Sequence, residues 1–134
     1  METKDQQVLE KIYQHITSVL KYCKGCVSLE DFQADSMRVE ACVFNLMQIG
    51  KLAKESLSDE FKLKLTTIPW KQLYGMRNRI VHGYSGVNMQ IVWDTIINDL
   101  PDLAKEIKAY LRIVALNEPL FAVSIVMESA FNGK

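Results

Sequence analysis

Val39-Glu40-Ala41-Cys42-Val43-Phe44-Asn45-Leu46-Met47-Gln48-Ile49-Gly50-Lys51-Leu52-Ala53-Lys54-Glu55-Ser56-Leu57 decides the fold. Val39, Val43, Leu46, Gly50, Ala53 and Leu57 recur at 4-3-4-3-4 spacing, which on an α-helix of about 3.6 residues per turn gathers them into one stripe. Phe44, Met47 and Ile49 carry the apolar surface beyond that stripe, as expected of a helix buried on more than one side. Gly50 and Ala53 are small enough to let another backbone approach closely.

Upstream, Val8, Ile12, His15, Val19, Tyr22 and Cys26 follow the same spacing and predict a first helix, with Gly25 near its end as a candidate C-terminal cap. On that apolar stripe His15 reads as a satisfied core histidine. Ser28-Leu29-Glu30-Asp31 resembles a capping box with Asp in the place of Glu or Gln. Downstream, Ser58-Asp59-Glu60 starts a short helix, and Pro69 suits the first position of another that reaches about His82, with Gly83 just past its end. Asn88 can cap a helix carrying Ile91, Val92, Ile96 and Leu100, and Pro101 restarts the chain into a further one. No run alternates with period two. The expectation is an all-α, up-down helical bundle of four to six helices with short connections. Its helical domain spans residues 1–116, and residues 117–134 form a tail of undecided structure.

Apolar residues make up 49% of the chain, enough to favour a packed core over disorder. The polar start Met1-Glu2-Thr3-Lys4-Asp5 does not read as a signal peptide, and Cys23, Cys26 and Cys42 fit no ligand pattern. A cytoplasmic protein with reduced thiols is therefore expected. The formal net charge is zero, which argues against a strongly basic nucleic-acid binder. The distribution says more: residues 61–93 hold Lys62, Lys64, Lys71, Arg77 and Arg79 and no acidic residue. A local field of that sign attracts phosphates even on a neutral protein.

Inside that acid-free stretch lies Arg77-Asn78-Arg79-Ile80-Val81-His82-Gly83-Tyr84. Asn78 and His82 are four apart and share a helical face, with Arg77 flanking it. One patch thus carries a phosphate-shaped cation, an imidazole that exchanges protons near neutral pH, and an amide able to orient it. Lys71, Arg77 and Arg79 are candidates for binding phosphate. Cutting RNA without a metal needs this chemistry: a base for the ribose 2′-hydroxyl, a cation for the phosphorane, and an acid for the 5′-oxygen. A histidine before glycine also serves as a plain C-cap, where imidazole favours the carbonyl end of the helix dipole. Residue type alone leaves both readings open. Phe44, Met47, Trp70, Tyr74 and Trp93 sit at helical spacing and read as core.

The string Ile68-Pro69-Trp70-Lys71-Gln72-Leu73-Tyr74-Gly75-Met76-Arg77-Asn78-Arg79-Ile80-Val81-His82-Gly83-Tyr84 resembles the signature of the HepT-like branch of the HEPN superfamily. So do Gly86-Val87-Asn88 to Ile91-Val92-Trp93-Asp94, the Asn98-Asp99-Leu100-Pro101 turn, and Gln48-Ile49-Gly50-Lys51-Leu52-Ala53-Lys54. The resemblance covers about residues 5–112. It implies a HEPN-like bundle that dimerises about a two-fold axis with two motifs facing one cleft. The implied activity is that of a metal-independent ribonuclease, without cofactor, serving as the toxin of a toxin–antitoxin pair. The implied partners are RNA and a minimal nucleotidyltransferase antitoxin, which in part of the family adenylylates the motif tyrosine. On that basis Arg77 and His82 are catalytic, Asn78 and Arg79 support them, and Tyr84 is the modification site. The alternative is a non-catalytic subunit holding a nucleotide or substrate for a nucleotidyltransferase. Lys51 stands where the family usually carries Glu, and Asn88 where it carries Asp.

Overall fold

The computed structural model describes residues 3–81 and 88–116. Helices α1 (Lys4–Tyr22), α2 (Leu29–Gln33), α3 (Ser36–Glu55), α4 (Asp59–Lys64), α5 (Trp70–Val81), α6 (Met89–Asp94) and α7 (Leu100–Leu116) follow in chain order, and a π-helical turn (Thr95–Asp99) joins α6 to α7. Counted as one, the α6–π–α7 run makes this a bundle of six helices, with no strand among the described residues. The tail at residues 117–134 lies outside them, as does the predicted helix end at His82 and Gly83.

Side-chain caps set most helix starts. Thr3 and Gln6 form a reciprocal capping box at α1, each accepting the other's backbone N–H at 3.1 Å. Ser28 caps α2 by accepting from Asp31 N at 3.1 Å. The return bond predicted there goes one residue further back, because Asp31 accepts from the N–H of Val27 at 3.0 Å. Ser58 and Asn88 cap α4 and α6 as the sequence predicts, at 3.1 and 3.2 Å. Gly25 takes φ +90° in the turn that leaves α1, a conformation that costs glycine little.

Helix α3 packs between α1 and α5, α1 also meets α7, and α2 closes the end against α3 and α6. The doubly buried helix is thus the one predicted, with Cys42, Leu46, Ile49, Gly50 and Ala53 inside. Phe44 is a correction, since it stays 58% exposed on α3 instead of joining the core. The α1 stripe is also rotated from the predicted one. Leu9, Ile12, Ile16, Val19 and Cys23 are buried, while Tyr22 is exposed and His15 half-buried. Both sets satisfy helical spacing, and the all-apolar set wins because burying it leaves no polar atom to satisfy. His15 is satisfied as expected, its Nδ1 lying 2.7 Å from Asn45 Oδ1.

Pro101 does not separate two helices. The amide of Leu100 reaches back to Thr95 O, a five-residue step, and this wider turn just before Pro101 accommodates a ring that cannot donate to an ordinary four-residue ladder. The chain therefore runs on helically from Met89 to Leu116. All three cysteines are free thiols. Cys23 and Cys42 touch in the core, Sγ to Sγ 3.6 Å; that shared hydrogen bond draws the Cys23 thiol down and, with burial, pushes Cys42 far up. No helix among the described residues is long and apolar enough to cross a membrane.

Candidate active site

Gly50 fixes how α5 lies on α3. A Cβ built there would stand 3.0 Å from Leu73 O and 3.1 Å from Arg77 Cβ, so any side chain at this position would have to push the two backbones apart by a few tenths of an ångström. The contact places Arg77 at the α3–α5 seam. Replacing Gly50 by valine is expected to cost about 1–3 kcal/mol of unfolding free energy, the usual range for overpacking. It should also move Arg77 away from α3. Urea denaturation measures the cost, and a variant as stable as the parent would show that the seam is not tight.

Arg77 Nη1 stands 3.7 Å from Glu55 Oε1, with the two side chains 39% and 51% exposed. A pair this open contributes at most about 1 kcal/mol to stability. At that distance it is a loose ion pair, which biases the guanidinium toward α3 without fixing it. Lys51, exposed on α3, lies one turn before Glu55. The acidic partner of Arg77 therefore comes from the next turn of the same face. Sequence reading missed Glu55, although its place four residues after Lys51 was a usable signal.

The three predicted phosphate-binding cations do not converge. Arg77 and Arg79 are two residues apart, so they leave a helix in opposite directions. Arg79 instead lines a small cavity of about 30 Å³ with Thr95, Asp99 and Leu103. Lys71 is exposed and lines a separate groove beside Trp70 and Tyr74. Asn78 is exposed on the outer side of α5. Trp70 and Tyr74 are half-buried rather than core, whereas Trp93 is buried as expected. His82, Gly83 and Tyr84 lie outside the described residues. No group of three or more His, Cys, Asp or Glu able to hold a metal ion occurs among the described residues.

The profile of the HepT-like family, described as ribonuclease HepT-like, matches residues 12–110. A protein of Caldanaerobacter subterraneus named "Putative RNase" is 39% identical over 104 residues, covering 78% of this chain and 91% of the relative. A protein of Thermococcus cleftensis named "Probable ribonuclease HepT" is 29% identical over 103 residues, 77% of this chain and 92% of the relative. A Methanocaldococcus jannaschii protein named "Putative RNase" is 28% identical over 104 residues, 78% and 84% of the two chains. No solved structure matches the chain. The chain belongs to the HepT-like family of the HEPN superfamily.

Proposed function

We propose that this chain is a metal-independent endoribonuclease that cuts RNA by transesterification, with Arg77 and His82 as its catalytic residues. The observation that carries the reading is Arg77 itself, half-exposed at the α3–α5 seam, loosely paired with Glu55, and five residues from the motif histidine. Its relatives' names point the same way. In the reaction a base removes the ribose 2′-proton and the 2′-oxygen attacks phosphorus. The guanidinium meets the charge of the phosphorane, and the 5′-oxygen leaves with a proton from the acid. The products are a 2′,3′-cyclic phosphate and a free 5′-hydroxyl. One motif holds one histidine, whereas the step needs both a base and an acid. A two-fold dimer with two His82 side chains in one cleft supplies both.

The same reading makes the chain a cytoplasmic toxin restrained by a minimal nucleotidyltransferase. AMP attached to Tyr84 would bring a phosphate that pairs with Arg77 in the substrate's place. Purified protein should shorten RNA and scatter light as a species of twice 15.3 kDa. Co-expressed with the nucleotidyltransferase of an adjacent reading frame, it should gain AMP by intact mass, and Tyr84→Phe should gain none. Binding of nucleotide with no shortening of any RNA would favour the non-catalytic subunit instead.

A further inference from the structure

Helix α4 and the start of α5 enclose an open groove of about 610 Å³, lined by Lys62, Leu63, Trp70, Lys71 and Tyr74 among others. The indole of Trp70 is locked there, because its Nε1 donates to Lys62 O at 3.2 Å and to Leu65 O at 3.1 Å. Lys62 lies over the Tyr74 ring at 5.0 Å and also bonds Ala53 O at 3.2 Å. The acid at the rim, Asp59, is paired with Lys62 at 3.6 Å. Leu63 is 75% exposed and Lys71 is exposed. The groove is therefore an apolar floor with a rigid aromatic wall and a cation at its edge.

Trp70, Tyr74 and Arg77 fall at i, i+4 and i+7 of α5, so the groove and the catalytic arginine share one stripe of the helix. We propose that this groove is a subsite for single-stranded RNA, in which a base flanking the cut stacks on Trp70 while the adjoining phosphate meets Lys71. The inference rests on the ribonuclease reading above and extends it to how the strand is held. Charge complementarity selects the occupant: the groove lining carries Lys62 and Lys71 against one acid, Asp59, which Lys62 already pairs, so Lys71 is left to meet a phosphate. A fixed aromatic face binds any base without reading its sequence. A locked ring also loses little rotational freedom when a base covers it.

The chain has two tryptophans, so Trp93→Phe leaves Trp70 as the sole emitter. In a Trp93→Phe, His82→Ala protein, which turns over about 10²–10⁴-fold more slowly, titration with a short single-stranded RNA should quench Trp70 emission to saturation. Independently of that variant's folding, Lys71→Glu and Leu63→Glu in the otherwise native chain should each weaken binding of a labelled 2′-O-methyl strand, which has no free 2′-hydroxyl to attack, about 10-fold by anisotropy. Lys108→Glu, the same charge change on the exposed face of α7, should not. RNA that is bound and cut with Trp70 emission and both groove variants unaffected overturns the subsite and leaves the ribonuclease reading standing. Quenching by RNA that the wild-type chain never cuts keeps the groove as an RNA site and removes that reading. If Leu63→Glu instead turns a dimer into a monomer, the groove belongs to a second copy and the proposal fails.

Discussion

Arg77→Ala is expected to lower the cleavage rate by about 10²–10³-fold, the usual cost of one preorganised donor at a developing charge. His82→Ala should lower it by about 10²–10⁴-fold, the contribution of a positioned acid or base. Neither loss should come from unfolding. The ion pair of Arg77 with Glu55 is half open to solvent, so removing it costs at most about 1 kcal/mol. Rates on a labelled single strand, set beside helical circular dichroism and a melting curve, separate the two causes. A spectrum that collapses in His82→Ala would return the histidine to the role of a C-cap. A rate unchanged in Arg77→Ala would remove the guanidinium from the chemistry.

Phe32→Ala should be the most damaging single change to the fold outside the site. Phe32 is wholly buried and stacks on Trp93, ring centres 5.6 Å apart at 28°. It is the one buried side chain of the five-residue helix α2. Truncating a buried phenylalanine costs about 3–5 kcal/mol, against a total of about 5–15 kcal/mol for a typical domain. Urea denaturation followed by circular dichroism should therefore give a midpoint far below the parent's. A loss under about 1 kcal/mol would mean that α2 is not packed against α6 as described.

Much of the bundle was legible because its signals are local. The α3 stripe and the hydroxyl or amide caps at Ser28, Ser58 and Asn88 follow from residue type and spacing, and each cap makes its bond. What escaped is set by tertiary contact. Helix α2 is barely more than one turn, too short for periodicity, and holds because Phe32 is buried. The π turn ahead of Pro101 is a register change that no spacing rule anticipates. On α1 two stripes fit the same spacing, and the all-apolar one is buried against α3 and α7.

The candidate site divides in the same way. Arg77 was recognisable from its motif, but its partner Glu55 comes from another helix, and only its place one turn after Lys51 hinted at the pairing. Trp70 and Tyr74 passed as core because half-buried aromatics at a helix corner have the same spacing as buried ones. Arg79 was grouped with Arg77 on sequence proximity, although two residues along a helix point it to the other side.

The most direct test of the account is cleavage of an end-labelled single-stranded RNA by the purified chain in excess EDTA. The account predicts that the strand is cut at an undiminished rate, leaving 2′,3′-cyclic phosphate or its opened form on one side and a 5′-hydroxyl on the other. Activity that disappears on chelation and returns with magnesium, or fragments carrying 5′-phosphates, would contradict it.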